Sequence, residues 1–183
     1  MSRRQIKLLV SVIIFLSFGL YQLYTSYSSS PQAKENQGNV LGQKDNDTIV
    51  TRVVDGDTLE VVISGKKEKV RAIGINTPET VDPRKKVECF GKEASEKAKS
   101  LLLNQKVHLK SDPSQADYDK HGRLLRYIFL EDGSDFGLQM VGQGYAYEYT
   151  YDTPYESQEE YRLAQQEAEK LRLGLWGENG CER

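Results

Sequence analysis

Three β-rich runs follow one another in this chain, at residues 48–54, 58–64 and 69–75, with only a few residues between them. Asp55-Gly56 separates the first two, and Asp-Gly flanked by alternating apolar residues is a hairpin signal. Ser64-Gly65-Lys66-Lys67 turns the chain again into the third run. The spacing predicts a three-stranded meander at the start of the folded part. In the third run, strand alternation puts Val70 and Ala72 on one side, Arg71 and Ile73 on the other. Arg71 then shares a sheet face with apolar side chains, which is costly unless an anion or a carboxylate meets it.

Asn76-Thr77-Pro78 ends that run, and residues 81–90 read as a surface loop with a basic tip at Arg84-Lys85-Lys86. From residue 91 to 103, Ala94, Ala98, Leu101 and Leu102 recur at helical spacing. Residues 107–110 and 124–130 read as strands, 135–141 as a short helix and 144–149 as a brief extended run. A last helix, beginning near Pro154, puts Tyr161, Ala164, Ala168, Leu171 and Leu175 on one stripe. Five strands and three helices, with the meander leading, predict an α+β domain over residues 48–177 built on a small closed barrel of OB type. Residues 178–183 are left as a tail.

A chain of 183 residues is large enough for one such domain plus appendages. Ser2-Arg3-Arg4-Gln5-Ile6-Lys7 is basic, the next charge is Lys34, and residues 8–24 are almost wholly apolar. That run is at the short limit of the roughly 17–25 residues a spanning helix needs, and the positive charge ahead of it directs the rest of the chain across. Residues 1–24 are expected to form a hydrophobic signal anchor. A cleaved signal peptide, cut after Gly19 or among residues 26–30, is the alternative. Either way the domain is expected outside the cytoplasm. Residues 25–47, rich in Ser, Gln, Asn and Gly, are expected to be a disordered tether.

The formal net charge of −2 hides an asymmetry. Residues 62–126 carry fifteen basic and nine acidic side chains, residues 131–183 four and twelve. A polyanion would meet the basic half; two merely solvated faces would give the same counts. In an exported domain an even pair of cysteines is expected to be bridged, here Cys89 to Cys181. Such a bridge would stabilise the fold by roughly 4–5 kcal/mol in the chain-entropy model. Two free thiols are the alternative.

The chemistry-bearing residues fall in three segments: Asp55-Gly56-Asp57-Thr58, the stretch from Arg71 through Asn76-Thr77-Pro78-Glu79, and Asp119-Lys120-His121-Gly122-Arg123. Oxygen ligands suit a hard cation such as Ca²⁺ or Mg²⁺, and arginine forks suit a phosphoryl group. The set reads as a metal-assisted phosphodiesterase. Each part also has a plain structural reading: a hairpin turn at 55–58, a cap at Glu79, an ion pair between Arg71 and Glu79. With two histidines and no His-rich spacing, a His-metal nuclease or a Ser-His-Asp hydrolase is disfavoured. His121 is expected to be a solvent-facing loop residue. Among the tyrosines from 145 to 155, Tyr149 and Tyr151 are expected on the wet side, where they can stack on bases, while others pack under the last helix.

These segments, with Phe90-Gly91-x-Glu93-Ala94, Lys120-x-Gly122-Arg123 and Leu175-Trp176, occur in the order found in the thermonuclease (staphylococcal nuclease-like) family. The chain resembles that family over residues 48–176. The resemblance implies an OB-fold nuclease that uses Ca²⁺ to cut DNA and RNA, leaving 3′-phosphates. Asp57 matches a metal ligand, and Thr77 matches the residue whose backbone carbonyl also binds the metal. Asp55 falls where a carboxylate acts on the metal through water. Arg71 and Arg123 match the phosphate-binding arginines, and Glu79 the carboxylate beside the attacking water. Lys85 and Lys120 match basic positions beside the nucleotide; Tyr149 and Tyr151 resemble the tyrosines that flank it, across a one-residue gap. Asn76 stands where the best-known members have a second metal-binding aspartate. Its oxygen can still coordinate Ca²⁺, but with one charge fewer, so weaker binding is expected and Mg²⁺ or Mn²⁺ become alternatives. The expected partners are nucleic acid as substrate and a membrane through residues 8–24, with the domain itself monomeric. The runner-up is a non-catalytic module on the same barrel, binding nucleic acid or a peptide.

Overall fold

The computed structural model describes residues 48–80, 87–178 and 180–181. The expected anchor and tether, and the basic loop tip with Lys85, lie outside the described residues. β1 (Thr48–Val53) and β2 (Thr58–Ile63) form the expected antiparallel hairpin, with Val53 opposite Leu59 and Ile49 opposite Val62. Ser64 and Gly65 alone make the next turn, at φ 51° and 81°, the left-handed pair that a two-residue hairpin loop requires. β3 (Lys66–Ala72) therefore begins earlier than the expected third strand. Lys66 and Lys67 pair with Ile63 and Val62; their polarity is that of a solvent-facing strand, not of a turn.

β3 also ends earlier. Ile73 and Gly74 turn the chain into β4 (Ile75–Asn76), which pairs with β7 (Tyr147–Glu148) in a small second sheet. Gly74 sits at φ 79°, and a Cβ there would lie 2.6 Å from the Tyr155 ring. Glycine is required on both counts. Ile73 thus leaves the strand, and is not an apolar neighbour of Arg71 on one sheet face.

β5 (Lys106–Lys110) and β6 (Leu124–Leu130) complete a closed barrel in the order β1-β2-β3-β6-β5, closed by β5 on β1. β6 runs parallel to β3, placing Arg71 beside Leu125. Inward positions such as Val50, Leu59, Val61, Val70 and Ile128 are fully or almost fully buried, each worth about 1.5–3 kcal/mol of transfer free energy.

Three helices cover the barrel among the described residues. α1 (Gly91–Leu102) buries Ala94, Ala98 and Leu102, the expected stripe. α2 (Phe136–Gly142) is capped by Asp135, which accepts from the Leu138 N–H. α3 (Gln158–Lys170) starts beyond Pro154 and buries Tyr161 and Ala168. The expected stripe breaks at Leu171, which is 56% exposed, because the helix stops at Lys170 and Arg172 turns left-handed at φ 53°. Leu175 reaches the core separately, on a 3₁₀ turn (Gly174–Trp176).

Three buried tyrosines meet at the inner face of α3, which itself supplies Tyr161. Tyr127, Tyr155 and Tyr161 contact one another edge-on or tilted, and their hydroxyls donate to Asp112, Glu148 and Asp135. Burial first, and these carboxylates second, push all three phenols well above their ordinary range. Cys89 and Cys181 are bridged, with Cα atoms 5.6 Å apart. Among the described residues no helix is long and apolar enough to cross a membrane.

Candidate active site

The β1–β2 connection carries the acids. The N–H groups of Val54 and Asp55 donate to the Thr58 carbonyl at 2.8 and 3.2 Å, and the Asp57 N–H donates to Asp55 Oδ1 at 3.1 Å. The loop then presses against Thr77: a Cβ on Gly56 would lie 2.6 Å from Thr77 Cγ2. Only glycine fits there. Asp57 answers from the other side, where its Oδ2 accepts from the Thr77 N–H at 2.9 Å and hydroxyl at 3.1 Å.

Arg71 stands opposite Thr58 in the β2–β3 ladder. Its Nη2 donates to Asn76 Oδ1 at 3.1 Å, and Nη1 lies 2.8 Å from Asp57 Oδ1 in a nearly buried ion pair, the two side chains 12% and 8% exposed. That contact is electrostatic without being an aligned hydrogen bond, since Nη1 has no hydrogen-bond acceptor among the described residues. The plain alternative of an Arg71–Glu79 pair is replaced by Asp57 and Asn76.

Arg123 comes from the loop before β6. Asp119 shapes that loop, its Oδ1 accepting the N–H groups of His121 at 2.8 Å and Arg123 at 2.9 Å. Its Oδ2 holds Arg123 Nε at 2.7 Å. Burial alone would raise the Asp119 carboxyl, but these bonds and the guanidinium charge hold it below the usual carboxylate range. Arg123 Nη1 then donates to the Thr58 hydroxyl at 3.2 Å, which itself donates to Asp57 Oδ1 at 2.9 Å.

Asp55, Asp57, Arg71, Asn76, Thr77, Glu79 and Arg123 line one cavity of about 350 Å³, with Pro78 and His121. The three segments far apart in sequence converge there. Asp55 is pushed up to about 6, first by burial and then by the charge of Asp57, against opposing pulls from the Asp57 N–H and Arg71. Glu79 Oε1 accepts from the Thr80 N–H at 2.8 Å, and the Glu79 N–H donates to Glu88 Oε2 at 3.0 Å.

A second cavity, about 540 Å³, adjoins the first and shares Arg71, Asn76, His121 and Arg123 with it. Lys120, Tyr149 and Tyr151 line it. The two tyrosines are 43% and 63% exposed, their rings 6.4 Å apart. Lys120 Nζ lies 3.3 Å from the Tyr151 hydroxyl and over its ring. Bases fit such a ledge by stacking. His121, read from sequence as a solvent-facing loop residue, is exposed and lines both cavities.

Sequence reasoning placed Thr58 and Asp119 in the chemistry-bearing segments without giving either a role, and passed over Glu88. A local signal existed for Asp119, since an Asp ahead of a Gly-containing turn bonds its own following N–H groups. None existed for Thr58 or Glu88, whose partners are set by tertiary contact.

Among the described residues no three His, Cys, Asp or Glu side chains are placed to hold an ion by themselves. An ion at this site would draw on mixed oxygens instead: the carboxylates of Asp55 and Asp57, the Asn76 amide and the Thr77 carbonyl. That donor set is hard and modest in charge, which suits Ca²⁺ or Mg²⁺ with water completing the shell.

A family model described as "Staphylococcal nuclease homologue" matches residues 69–178. A thermonuclease of Staphylococcus hyicus is 41% identical over 128 residues, covering 69% of this chain and 73% of that protein. A thermonuclease of Staphylococcus intermedius is 34% identical over 175 residues, covering 93% and 98%. The endonuclease YncB of Bacillus subtilis is 37% identical over 132 residues, covering 70% of this chain and 61% of its own. On the family match, the relatives and the barrel together, the chain belongs to the family of staphylococcal nuclease homologues.

Proposed function

We propose that this protein is an exported, metal-dependent nuclease that hydrolyses phosphodiester bonds of DNA, RNA or both with low sequence specificity. The observation that carries the reading is the convergence of Arg71, Arg123 and Glu79 on one cavity with Asp57. The names of its relatives, thermonuclease and endonuclease, agree with it. Export is supported by the basic start and apolar run of residues 2–24, and by a disulfide of the kind that persists in oxidising compartments. Membrane attachment through residues 8–24, or release after cleavage, belongs to the same proposal.

A phosphodiester resists attack because its charge repels nucleophiles. Arg71 and Arg123 grip its oxygens from two sides, and their fork geometry holds the phosphorus in place. A bound Ca²⁺, or Mg²⁺ or Mn²⁺, held by Asp57, Asn76 and Thr77 with Asp55 behind, would supply further positive charge to polarise the phosphate. Glu79 orients a water on the opposite side and takes one proton from it at its carboxylate. As the water oxygen bonds to phosphorus and the P–O bond to the leaving sugar oxygen breaks, the arginines stabilise the extra negative charge of the five-coordinate transition state, and the departing oxygen takes its proton from solvent. Lys120, Lys85, Tyr149 and Tyr151 hold the adjoining nucleotide, the tyrosines by stacking without reading sequence, which accounts for low specificity.

The test is digestion of plasmid DNA and of RNA by the purified protein with Ca²⁺, Mg²⁺, Mn²⁺ or a chelator. Cleavage that requires the ion and disappears in Glu79→Gln is the expected result. Cleavage indifferent to chelator would remove the metal from the mechanism, and binding without cleavage would turn the protein into a passive module.

A further inference from the structure

We infer that Glu88 and the Cys89–Cys181 bridge together position Glu79, so that a covalent link to the C-terminal segment sets the turnover rate. The inference rests on the assignment of Glu79 as the group that handles the attacking water.

Residues 77–80 belong to no strand or helix, so no ladder holds Glu79. Its backbone is held by Glu88, in a reciprocal pair: the Glu79 N–H donates to Glu88 Oε2 at 3.0 Å, and the Glu88 N–H donates to the Glu79 carbonyl at 2.9 Å. The start of α1 backs this pair. The Gly91 N–H donates to the Glu88 carbonyl at 3.1 Å, and a Cβ on Gly91 would lie 2.7 Å from Thr80 Cγ2 and 3.2 Å from the Glu79 carbonyl oxygen. The helix end therefore lies flush against the segment that carries Glu79.

Residues 88–91 are held by the bridge at Cys89 and by the Phe90 ring, which packs on Tyr145 with centroids 5.6 Å apart. Val87, Glu88 and Cys89 are exposed, where water competes for a single hydrogen bond. Phe90 is left-handed at φ 62° and α1 has no side-chain cap at that end. Cys89, the residue between Glu88 and Phe90, is bonded to Cys181. The Cys181 N–H donates to the carbonyl of Leu175 at 3.2 Å, and Leu175 is buried. An unbroken path runs from the core through Leu175, Cys181, Cys89 and Glu88 to the backbone of Glu79. A displacement of about 1 Å at a reacting group is enough to cost on the order of 10²-fold in rate, so slack anywhere on this path reaches the chemistry.

The experiment measures kcat and KM for DNA hydrolysis by the full-length protein and by Glu88→Ala, Glu88→Gln and Cys89→Ser/Cys181→Ser, each also combined with Glu79→Gln, with thermal melts confirming folding at the assay temperature. Glu88→Ala is expected to lower kcat about tenfold or more while leaving KM within about twofold. Glu88→Gln, whose amide oxygen still accepts the Glu79 N–H, is expected to retain most of kcat. The cysteine variant should resemble Glu88→Ala. A dithiol reductant, which passes two electrons and two protons to the bridge and becomes a disulfide itself, should do the same to wild type and nothing to the cysteine variant. None of these changes should slow Glu79→Gln further. Wild-type kcat in Glu88→Ala, or an equal loss on the Glu79→Gln background, overturns the inference. Should the cysteine variant fail to fold, the exposed Glu88 pair decides alone. Full turnover by Glu79→Gln by itself would overturn the assignment of Glu79, and this inference with it, before any Glu88 variant is compared.

Discussion

Arg123 Nη1 donates to the Thr58 hydroxyl at 3.2 Å, and that hydroxyl donates to Asp57 Oδ1 at 2.9 Å. Since Asp57 Oδ1 also meets Arg71 at 2.8 Å, one buried threonine spaces the two guanidinium groups. Thr58→Val keeps the shape and removes the bridge. It leaves Arg123 Nη1 without that acceptor and Asp57 with one donor fewer. We expect kcat/KM to fall about tenfold and stability by about 1–3 kcal/mol, while Thr58→Ser stays near wild type. Steady-state kinetics and urea unfolding read both; a Val variant as active as Ser would show the bridge to be idle.

Under the proposed phosphate role, neither arginine should be replaceable by lysine. Arg123 uses Nε on Asp119 and Nη1 on Thr58 at once, and an ammonium cannot span both while facing a phosphate. Arg123→Lys and Arg71→Lys should each lower kcat by on the order of 10²-fold or more, close to the alanine variants. Recovery of most of the rate by lysine would mean that charge alone is enough and the fork geometry is not used.

The meander and the helices were legible in the sequence because their signals are local, whereas the cavity-lining set from Asp55 to Arg123 was indicated by the order of its motifs, through the family resemblance. Asp55-Gly56 marks a turn, β3 alternates, and Ala94, Ala98 and Leu102 keep helical spacing. The errors were local as well: Lys66 and Lys67 are strand residues on a wet face, and Leu171 belongs to a stripe that the left-handed Arg172 cuts short. What could not be read depends on distant pairing. Only the parallel β3–β6 ladder sets Arg71 beside Leu125 and so brings residue 123 to Thr58. Likewise, Glu88 meets Glu79 because the chain returns on itself to start α1, which no spacing rule anticipates.

Asn76 keeps its oxygen on Arg71 Nη2 at 3.1 Å. A carboxylate there would keep that contact and add a negative charge beside Asp57 and Asp55. Ligand charge tunes Ca²⁺ affinity over orders of magnitude, so under the proposed metal role Asn76→Asp should reach half-maximal activity at a Ca²⁺ concentration about tenfold lower or more. A calcium titration of DNA cleavage measures it. An unchanged midpoint would take position 76 out of the ligand set.

Acid stability should depend on a carboxylate away from the cavity acids. Asp112 is 3% exposed, and its Oδ2 accepts the Tyr127 hydroxyl at 2.6 Å and the Glu156 N–H at 2.8 Å. Its Oδ1 accepts the Ser114 N–H at 2.8 Å and hydroxyl at 2.7 Å. Burial by itself would raise this carboxyl, but the four bonds outweigh it and hold the group below its ordinary value. An unfolded aspartate titrates near about 3.9. The stabilisation is therefore complete above that pH, and it is lost as pH falls from there through the lower folded value. Asp112→Asn presents one oxygen to donors that occupy two. It should cost about 1–3 kcal/mol at neutral pH and flatten the loss of stability below pH of about 4. Urea unfolding from pH 3 to 7 compares the two proteins. The same acid slope in both would locate the sensitive carboxylate elsewhere. Because Ser114 lines the tyrosine cavity and its hydroxyl lies 2.9 Å from the Pro154 carbonyl oxygen, the variant should raise KM for DNA more than it lowers kcat.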